Sequence, residues 1–296
     1  MRASPALATA VLLLAGCPRS AHELLEHADR LEGSRHFAAA LAGYRDALRR
    51  LGTEVSPDAR SIRTRTLAHL ADLCYLDMRD TRCAKETYQT LLENYPDAPE
   101  SYQARIHYAE MLRDRLGDPT DAIAQFKALV SAYPDRPGAD GYQMQAVEGY
   151  FQLADYAQAR TEARVLLDRF PRSPLAPQAR LLLASCFEME GRRAEAIAAY
   201  QELIDRTASG EAVSRAQLAM AKLLEAQGDD DRALETLLSC LKTYPDPLLI
   251  QREIGRLQRK MEAARELHEH PDAFDHGVHR QVHRVAAAAD APRGQE

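Results

Sequence analysis

The sequence contains no tryptophan, and only 6% of its 296 residues are aromatic. A membrane-spanning helix needs about 20 predominantly apolar residues, whereas the apolar run at residues 6–15 has only ten. Glycine-rich phosphate loops, Gly-x-Ser-x-Gly nucleophile turns and Asp/Asn-rich metal loops, which mark common catalytic and cofactor sites, are also missing. We therefore expect a soluble body after residue 16, no enzymatic activity and no cofactor.

Excess positive charge is absent as well. The formal net charge is −6, with 38 Lys and Arg residues against 44 Asp and Glu residues. Such a chain has no general attraction to nucleic acid or to anionic lipid headgroups. Its 46% hydrophobic and 28% charged residues are typical of a soluble, packed protein. We expect other proteins as partners, and neither nucleic acid nor a small-molecule substrate.

The first of the five cysteines, Cys17, lies in an informative context. A positive residue, a short apolar segment and two small residues precede it, an order typical of an export signal. Residues 14–17, Leu-Ala-Gly-Cys, resemble the lipobox of bacterial lipoproteins, which implies removal of residues 1–16 and lipidation of Cys17. Pro18 replaces the aspartate that retains many lipoproteins at the inner membrane, so the resemblance implies an outer-membrane anchor facing the periplasm. The alternative is an ordinary secretory signal with a cysteine at its cleavage site.

Four further cysteines remain: Cys74, Cys83, Cys186 and Cys240. An oxidising periplasm permits disulfides, and Cys74 and Cys83 flank a predicted helix turn. Cysteine is also a common small buried residue. The sequence thus leaves open whether this pair is bridged, and no cysteine spacing resembles a zinc site.

The middle of the chain is repetitive. Four aromatic-proline pairs each follow an alanine that lies twelve residues before the proline, and two eroded copies bring the number of units to six. Apart from a first interval of 44 residues, the alanines recur every 37 or 38 residues: Ala40, Ala84, Ala122, Ala159, Ala196 and Ala233. Self-similarity at such a period is typical of a solenoid of stacked repeats.

Each unit carries the pattern of a helical hairpin. With the alanine as position 0, position +4 is mostly aromatic and +7 mostly apolar, so one helix face is apolar. Glycine at −5 in three units ends the preceding helix, and proline at +12 stops the second one. The residues predicted to cap the helices after the prolines are Asp97, Asp135, Ser173 and Asp246.

These spacings resemble the tetratricopeptide repeat, although that repeat has a period of about 34 residues. With the longer period and the Tyr-Pro endings, residues 22–246 resemble two kinds of periplasmic envelope protein. They are the BamD-like lipoproteins of the outer-membrane barrel-assembly machinery and the repeat domain of the cell-division coordinator of the Tol-Pal system. The resemblance implies an all-α, tetratricopeptide-like α-solenoid of about six helix-turn-helix units within residues 17–246.

The C-terminal region has two predicted parts. Residues 247–269 form one more amphipathic helix, which either caps the last repeat or binds a partner. Residues 270–296 are predicted to be a disordered, histidine-rich tail, in which His276, His279 and His283 would align on a helix. This tail motivates an alternative function, a periplasmic ligand- or metal-binding protein. No framework of other ligands accompanies these histidines, and no specific metal site is predicted.

The first helix of each unit is expected to line a concave groove that binds partners. The tetratricopeptide groove positions, carried over by spacing, give eleven candidate residues: His69, Asp77, Met144, Glu148, Gln152, Gln178, Ser185, Glu188, Arg215, Lys222 and Glu225. This lining has mixed charge and lacks a run of Lys and Asn that would clamp a terminal carboxylate. The sequence therefore predicts a non-catalytic, lipid-anchored scaffold that binds other cell-envelope proteins during envelope assembly or maintenance.

Overall fold

A computed structural model describes residues 20–269 of the chain. The described part is all-α and contains thirteen α-helices and no strand, as the repeat pattern predicts. The helices are α1 (Ala21–Gly33), α2 (Phe37–Leu51), α3 (Pro57–Asp72), α4 (Thr81–Asn94), α5 (Pro99–Met111), α6 (Pro119–Ala132), α7 (Ala139–Gln152), α8 (Tyr156–Arg169), α9 (Ala176–Met189), α10 (Arg193–Arg206), α11 (Glu211–Ala226), α12 (Asp230–Cys240) and α13 (Pro247–Glu269). The predicted signal peptide, Cys17 and the tail at 270–296 lie outside the described residues.

The helices form six antiparallel hairpins followed by one further helix. We call the first helix of each hairpin, α1 to α11 with odd numbers, an A helix, and its even-numbered partner a B helix. The chain divides into two compact units, Met1–Tyr142 and Gln143–Glu296, called here the N-terminal and C-terminal units. None of the described helices has the length and apolar character that crossing a bilayer requires.

The periodic positions form the core of each unit. The alanine at position 0 is at most 2% exposed in all six hairpins, and the residues at +4 and +7 are buried as well. Offsets of four and seven lie on one helix face, and a small residue at position 0 lets the A helix approach the B helix closely. The spacing of apolar residues therefore explains how each hairpin packs.

In every hairpin, one residue of the turn between the A and B helices adopts the left-handed backbone conformation. Position −5 has a positive φ in all six units, at Arg35, Arg79, Gly117, Ala154, Gly191 and Gly228. The three glycines adopt this conformation without steric cost. Arginine and alanine have a Cβ and adopt this conformation at a steric cost. The three turns without glycine, at Arg35, Arg79 and Ala154, are therefore strained.

Replacing Ala154 by glycine is expected to stabilise the C-terminal unit by about 0.5–1 kcal/mol. The φ of 57° at Ala154 costs a residue with a Cβ about 1–2 kcal/mol, and the greater freedom of glycine in the unfolded chain offsets part of that gain. Urea denaturation measures the change. The matched control is Gly228→Ala, with φ 84° and open space around the added Cβ, which should lose a similar amount. An Ala154→Gly protein that unfolds at lower urea than wild type would contradict this reading of the turn.

Aspartate caps most B helices. At position −4, Asp80, Asp118, Asp155 and Asp229 each accept a hydrogen bond from the backbone N–H three residues later. This arrangement satisfies one of the unpaired donors of the first helical turn.

The predicted caps after the prolines are partly wrong. Asp246 accepts from the backbone N–H groups of the residues at 248 and 249, as predicted. Helices α5 and α9 instead begin after Ala98 and Leu175, so Asp97 and Ser173 are not their N-caps. After the proline, the chain forms a short turn before the A helix starts. The N-cap position therefore falls one or two residues after the predicted polar residue.

Two A helices of the N-terminal unit end in an extra turn. Helix α3 continues into a π-helical turn at Leu73–Asp77, and α5 continues into another at Leu112–Leu116. A π turn places one more residue within the same helical advance than an α turn does. Residues that precede it therefore face a different direction from the residues at the same offset in the other A helices.

A disulfide closes the turn of the second hairpin. Cys74 in the π turn and Cys83 in the first turn of α4 are bonded, with their Cα atoms 5.9 Å apart. This settles the alternative that the sequence left open for the pair. Cys186 and Cys240 are buried thiols, and burial raises the pKa of each to about 11.

Candidate partner-binding surface

The predicted groove residues of the C-terminal unit lie on A helices but differ in accessibility. Gln152, Arg215 and Lys222 are exposed, and Gln178 and Glu148 are half-buried. Met144 is only 3% exposed and packs in a core cluster with Val147 and Leu166, so its assignment to the surface is wrong. In the N-terminal unit, Asp77 is exposed and His69 half-buried.

The π turns explain why residues at position −15 are partly exposed in two A helices and buried in others. Position −15 is His69 in α3 and His107 in α5, where the extra residue turns the side chain towards solvent. In the helices without a π turn the same position is Met144, Leu181 or Leu218, each at most 9% exposed. A fixed offset therefore assigns the surface correctly only within one class of A helix.

Buried tyrosines hold carboxylates on the solvent-facing side of the A helices, which we call the A-helix surface. In the N-terminal unit, the Tyr44 hydroxyl donates to Asp29 Oδ1 at 2.8 Å and also contacts Glu32. The Tyr88 hydroxyl donates to Asp72 Oδ1 at 2.6 Å. Burial, together with these carboxylates, raises the pKa of both tyrosines well above the usual value. Each hydroxyl therefore stays protonated and remains a donor.

A histidine from the following repeat completes each of these arrangements. His69 Nδ1 lies 2.7 Å from Asp29 Oδ1, and His107 Nδ1 lies 2.8 Å from Asp72 Oδ1. We call these chains the first relay (Tyr44, Asp29 and His69) and the second relay (Tyr88, Asp72 and His107). Each relay connects three helices and two successive hairpins. The imidazoles are thereby fixed at the surface by contacts that reach the core.

The relays differ at their outer ends. His107 Nε2 contacts the Gln103 side-chain amide at 2.9 Å, and the His107 side chain is 19% exposed. The His69 side chain is 40% exposed. The hydrogen bond from His107 to Asp72 raises the pKa of this histidine, although burial acts against the increase. In the first relay, Glu32 also contacts the Tyr44 hydroxyl, and burial raises the pKa of the Glu32 carboxyl.

A similar arrangement occurs in the fifth hairpin, within the C-terminal unit. The Tyr200 hydroxyl donates to Glu188 Oε2 at 2.6 Å and lies 3.1 Å from Ser185 Oγ. Ser185 and Glu188 are both predicted groove residues, and both are anchored by the B-helix tyrosine. Their rotamers are therefore set before any partner arrives, which lowers the entropic cost of binding.

Glu225 is engaged by the last helix. Arg256 of α13 binds both Glu225 oxygens, at 2.7 and 2.6 Å, and this pairing lowers the pKa of the Glu225 carboxyl. Lys260 adds an ion pair with Asp230 at 2.7 Å. The buried face of α13 presents Ile250, Ile254 and Leu257 to the same core. Glu225 thus fastens α13 to the repeats, which leaves it poorly available to a partner.

Sequence reasoning missed most relay members. Asp29, Asp72 and His107 are not among the eleven predicted residues, and Tyr44 and Tyr88, at position +4, are predicted only as part of the apolar helix face. The available signal was the tyrosine at +4, because a buried hydroxyl requires a hydrogen-bond partner. Within residues 20–269, no group of three or more His, Cys, Asp or Glu side chains is arranged to hold a metal ion.

The architecture defines an all-α helical-repeat protein. Models of the tetratricopeptide repeat match residues 75–137, 145–212 and 214–257, which together exceed half of the chain. The chain belongs to the tetratricopeptide-repeat family, whose repeats serve as scaffolds for protein–protein interaction. No curated protein sequence matches the chain significantly.

Solved structures are similar to the chain at low sequence identity. The structure of Naa15/Naa10 bound to HypK-THB contains a chain with TM-score 0.53 and 17% identity; the match covers 86% of this chain and 38% of that one. The type IV pilus biogenesis factor PilW has TM-score 0.43 and 17% identity over 79% of this chain and 98% of its own. A tetratricopeptide repeat protein from Parabacteroides merdae ATCC 43184 has TM-score 0.43 and 15% identity, over 81% and 100%.

Proposed function

We propose that this protein is a lipid-anchored scaffold of the bacterial cell envelope that binds other envelope proteins through its A helices. Cys17 carries the lipid, and the repeats face the periplasm from the outer membrane. The role of this surface is to bind a partner protein. In each relay a buried tyrosine holds a carboxylate, and that carboxylate in turn holds an imidazole.

The Cys74–Cys83 disulfide is the observation that carries the location. Disulfides form and persist in oxidising compartments such as the periplasm, and are rare in the reducing cytosol. The disulfide is independent of the lipobox, so two unrelated features of the chain support export. An envelope assembly role, including one like that of the BamD-like lipoproteins, is the finer form of this proposal and rests on the sequence resemblance.

Replacement of Cys17 by serine tests the anchor. We expect the wild-type protein to sediment with outer membranes and its N-terminal peptide to carry the mass of attached acyl chains. A single acyl chain binds membranes only marginally, whereas two or more hold a protein stably. The Cys17→Ser protein should therefore appear in the soluble or unprocessed fraction.

Cys240→Ser is the matched control, because it also removes one thiol but should leave lipidation unchanged. Crosslinking in cells, followed by mass spectrometry, then identifies the proteins that depend on the anchor. A wild-type N-terminus without lipid mass would contradict the anchor. Crosslinks to cytosolic proteins alone would contradict the envelope scaffold.

A further inference from the structure

A second polar cluster in the N-terminal unit, which shares no residue with the relays, lies at the corner after α6. It consists of Tyr102 and Arg105 on α5, Tyr133 at the end of α6, Arg136 in the following turn and Tyr142 on α7; we call it the Tyr133 cluster. The Tyr102 and Tyr133 rings meet edge to face with centroids 4.9 Å apart. The Arg136 guanidinium lies over both rings, 4.1 Å from the Tyr102 centroid and 5.4 Å from that of Tyr133.

Within the part of the chain that the structure describes, the two arginines of the cluster have no acidic partner. Arg105 donates to the neutral Gln125 Oε1 at 2.7 Å and interacts electrostatically with Tyr133. Burial lowers the pKa of Arg105. No carboxylate within residues 20–269 forms an ion pair with Arg105 or Arg136. A guanidinium remains charged under all physiological conditions, and the partial burial of Arg105 without a counter-charge is unfavourable.

The equivalent corner one repeat earlier shows what is missing. Both corners have the sequence Tyr-Pro-Asp, at residues 95–97 and 133–135. At the first corner, Arg60 lies 5.7 Å from the Tyr95 centroid and forms an ion pair with Asp97 at 2.7 Å. That cation is therefore neutralised within the chain. At the second corner, Asp135 occupies the same place in the sequence, but among the described residues neither Arg105 nor Arg136 forms an ion pair with a carboxylate.

We propose that the Tyr133 cluster binds an oxyanion between Arg105 and Arg136. Guanidinium groups present several N–H donors in a planar fork that suits carboxylate and phosphate oxygens. The Tyr102 and Tyr133 rings pack against the Arg136 guanidinium and hold it in place. Burial and a hydrogen bond with Tyr102 raise the pKa of Tyr142 to about 12, so this hydroxyl also keeps its proton. The ligand is a phosphate or carboxylate group, the chemistry common to both being an oxygen-centred negative charge.

NMR titration of the Arg Nε–H resonances tests the site, with inorganic phosphate and acetate as separate probes at constant ionic strength. We expect saturable shifts at Arg105 and Arg136. Arg105→Gln and Arg136→Gln should each weaken binding about tenfold, the effect of one charge-assisted hydrogen bond. Arg136 is exposed, so its replacement leaves the fold intact even if that of Arg105 does not. Arg60→Gln, at the corner already neutralised, is the matched control and should leave the affinity within about twofold.

The two probes separate the sources of the anion. Stronger binding of phosphate assigns the site to a phosphate group, and stronger binding of acetate assigns it to a carboxylate. Resonances that do not move with either anion up to about 0.15 M, near physiological ionic strength, would overturn the proposal. Equal shifts in the Arg136→Gln protein would overturn it as well. Neither result bears on the two relays, because the cluster shares no residue with them.

Discussion

Loss of the Cys74–Cys83 disulfide is expected to lower the free energy of unfolding by about 2 to 3 kcal/mol. The bond links residues nine apart in sequence, and the loop-entropy relation gives this magnitude for so short a loop. The cross-link also fixes the π turn after α3, which places His69 and Asp72 on the A-helix surface. We therefore expect the second hairpin to lose more hydrogen-exchange protection than the other hairpins.

Guanidinium denaturation of the oxidised protein and of the Cys74→Ser/Cys83→Ser variant measures this effect. Reduction of the wild type should reproduce the result in the variant, while the variant itself should not respond to reductant. The buried thiols of Cys186 and Cys240 provide the control, because a serine at either position leaves the disulfide in place. A double variant that unfolds at the same denaturant concentration as the oxidised wild type would contradict the structural role given to the bond.

His107→Asn is expected to cost about 1 to 2 kcal/mol at acidic pH and progressively less as the pH rises. A hydrogen bond to a charged group contributes about 1.5–3 kcal/mol, and the partial exposure of the His107 and Asp72 side chains reduces this contribution. Asp72 raises the folded-state pKa of His107 above its ordinary value of 6.5, so folding favours the protonated imidazole. The contribution to stability is therefore fully present below the unfolded-state pKa and is lost as the pH rises through the folded-state pKa.

The measurement is the difference in unfolding free energy between wild type and variant from pH 5 to 9, a range of about two units on either side of the relevant pKa values. Taking the difference removes the titration of groups common to both proteins, including Glu110 near His107. An NMR titration of the His107 ring should give a pKa above its usual range. A difference that is flat with pH, or that grows towards alkaline pH, would contradict the second relay.

Much of the fold follows from the sequence because it depends on local chemistry. Ala122, for example, predicts close helix packing, and Gly117 predicts a left-handed turn that ends the preceding helix. Both expectations match the described structure. Arg79 and Ala154 occupy the same turn position without glycine, and only the repeat spacing could have indicated their conformation. The family assignment is confirmed by the repeat models, whereas the BamD-like role and the lipid anchor stay proposals.

The surface was harder to predict because it depends on helix rotation. A single π turn decides whether position −15 is a buried residue such as Met144 or a half-buried histidine such as His69. The relays also join residues about 40 positions apart, as Asp29 and His69 are. Such contacts arise only after successive hairpins pack together. Glu225 shows the same limit, because its partner Arg256 comes from a helix beyond the repeats.

Photocrosslinking in living cells tests most directly whether the A helices bind the partner. A photoreactive residue would replace Asp77 or Lys222 on the A-helix surface, and Glu86 or Glu235 on B helices would serve as equally exposed controls. We expect the A-helix positions to capture the same envelope protein and the B-helix positions to capture none. Capture from Glu86 or Glu235 alone would show that the protein binds its partner through the opposite helices and would contradict the proposed scaffold surface.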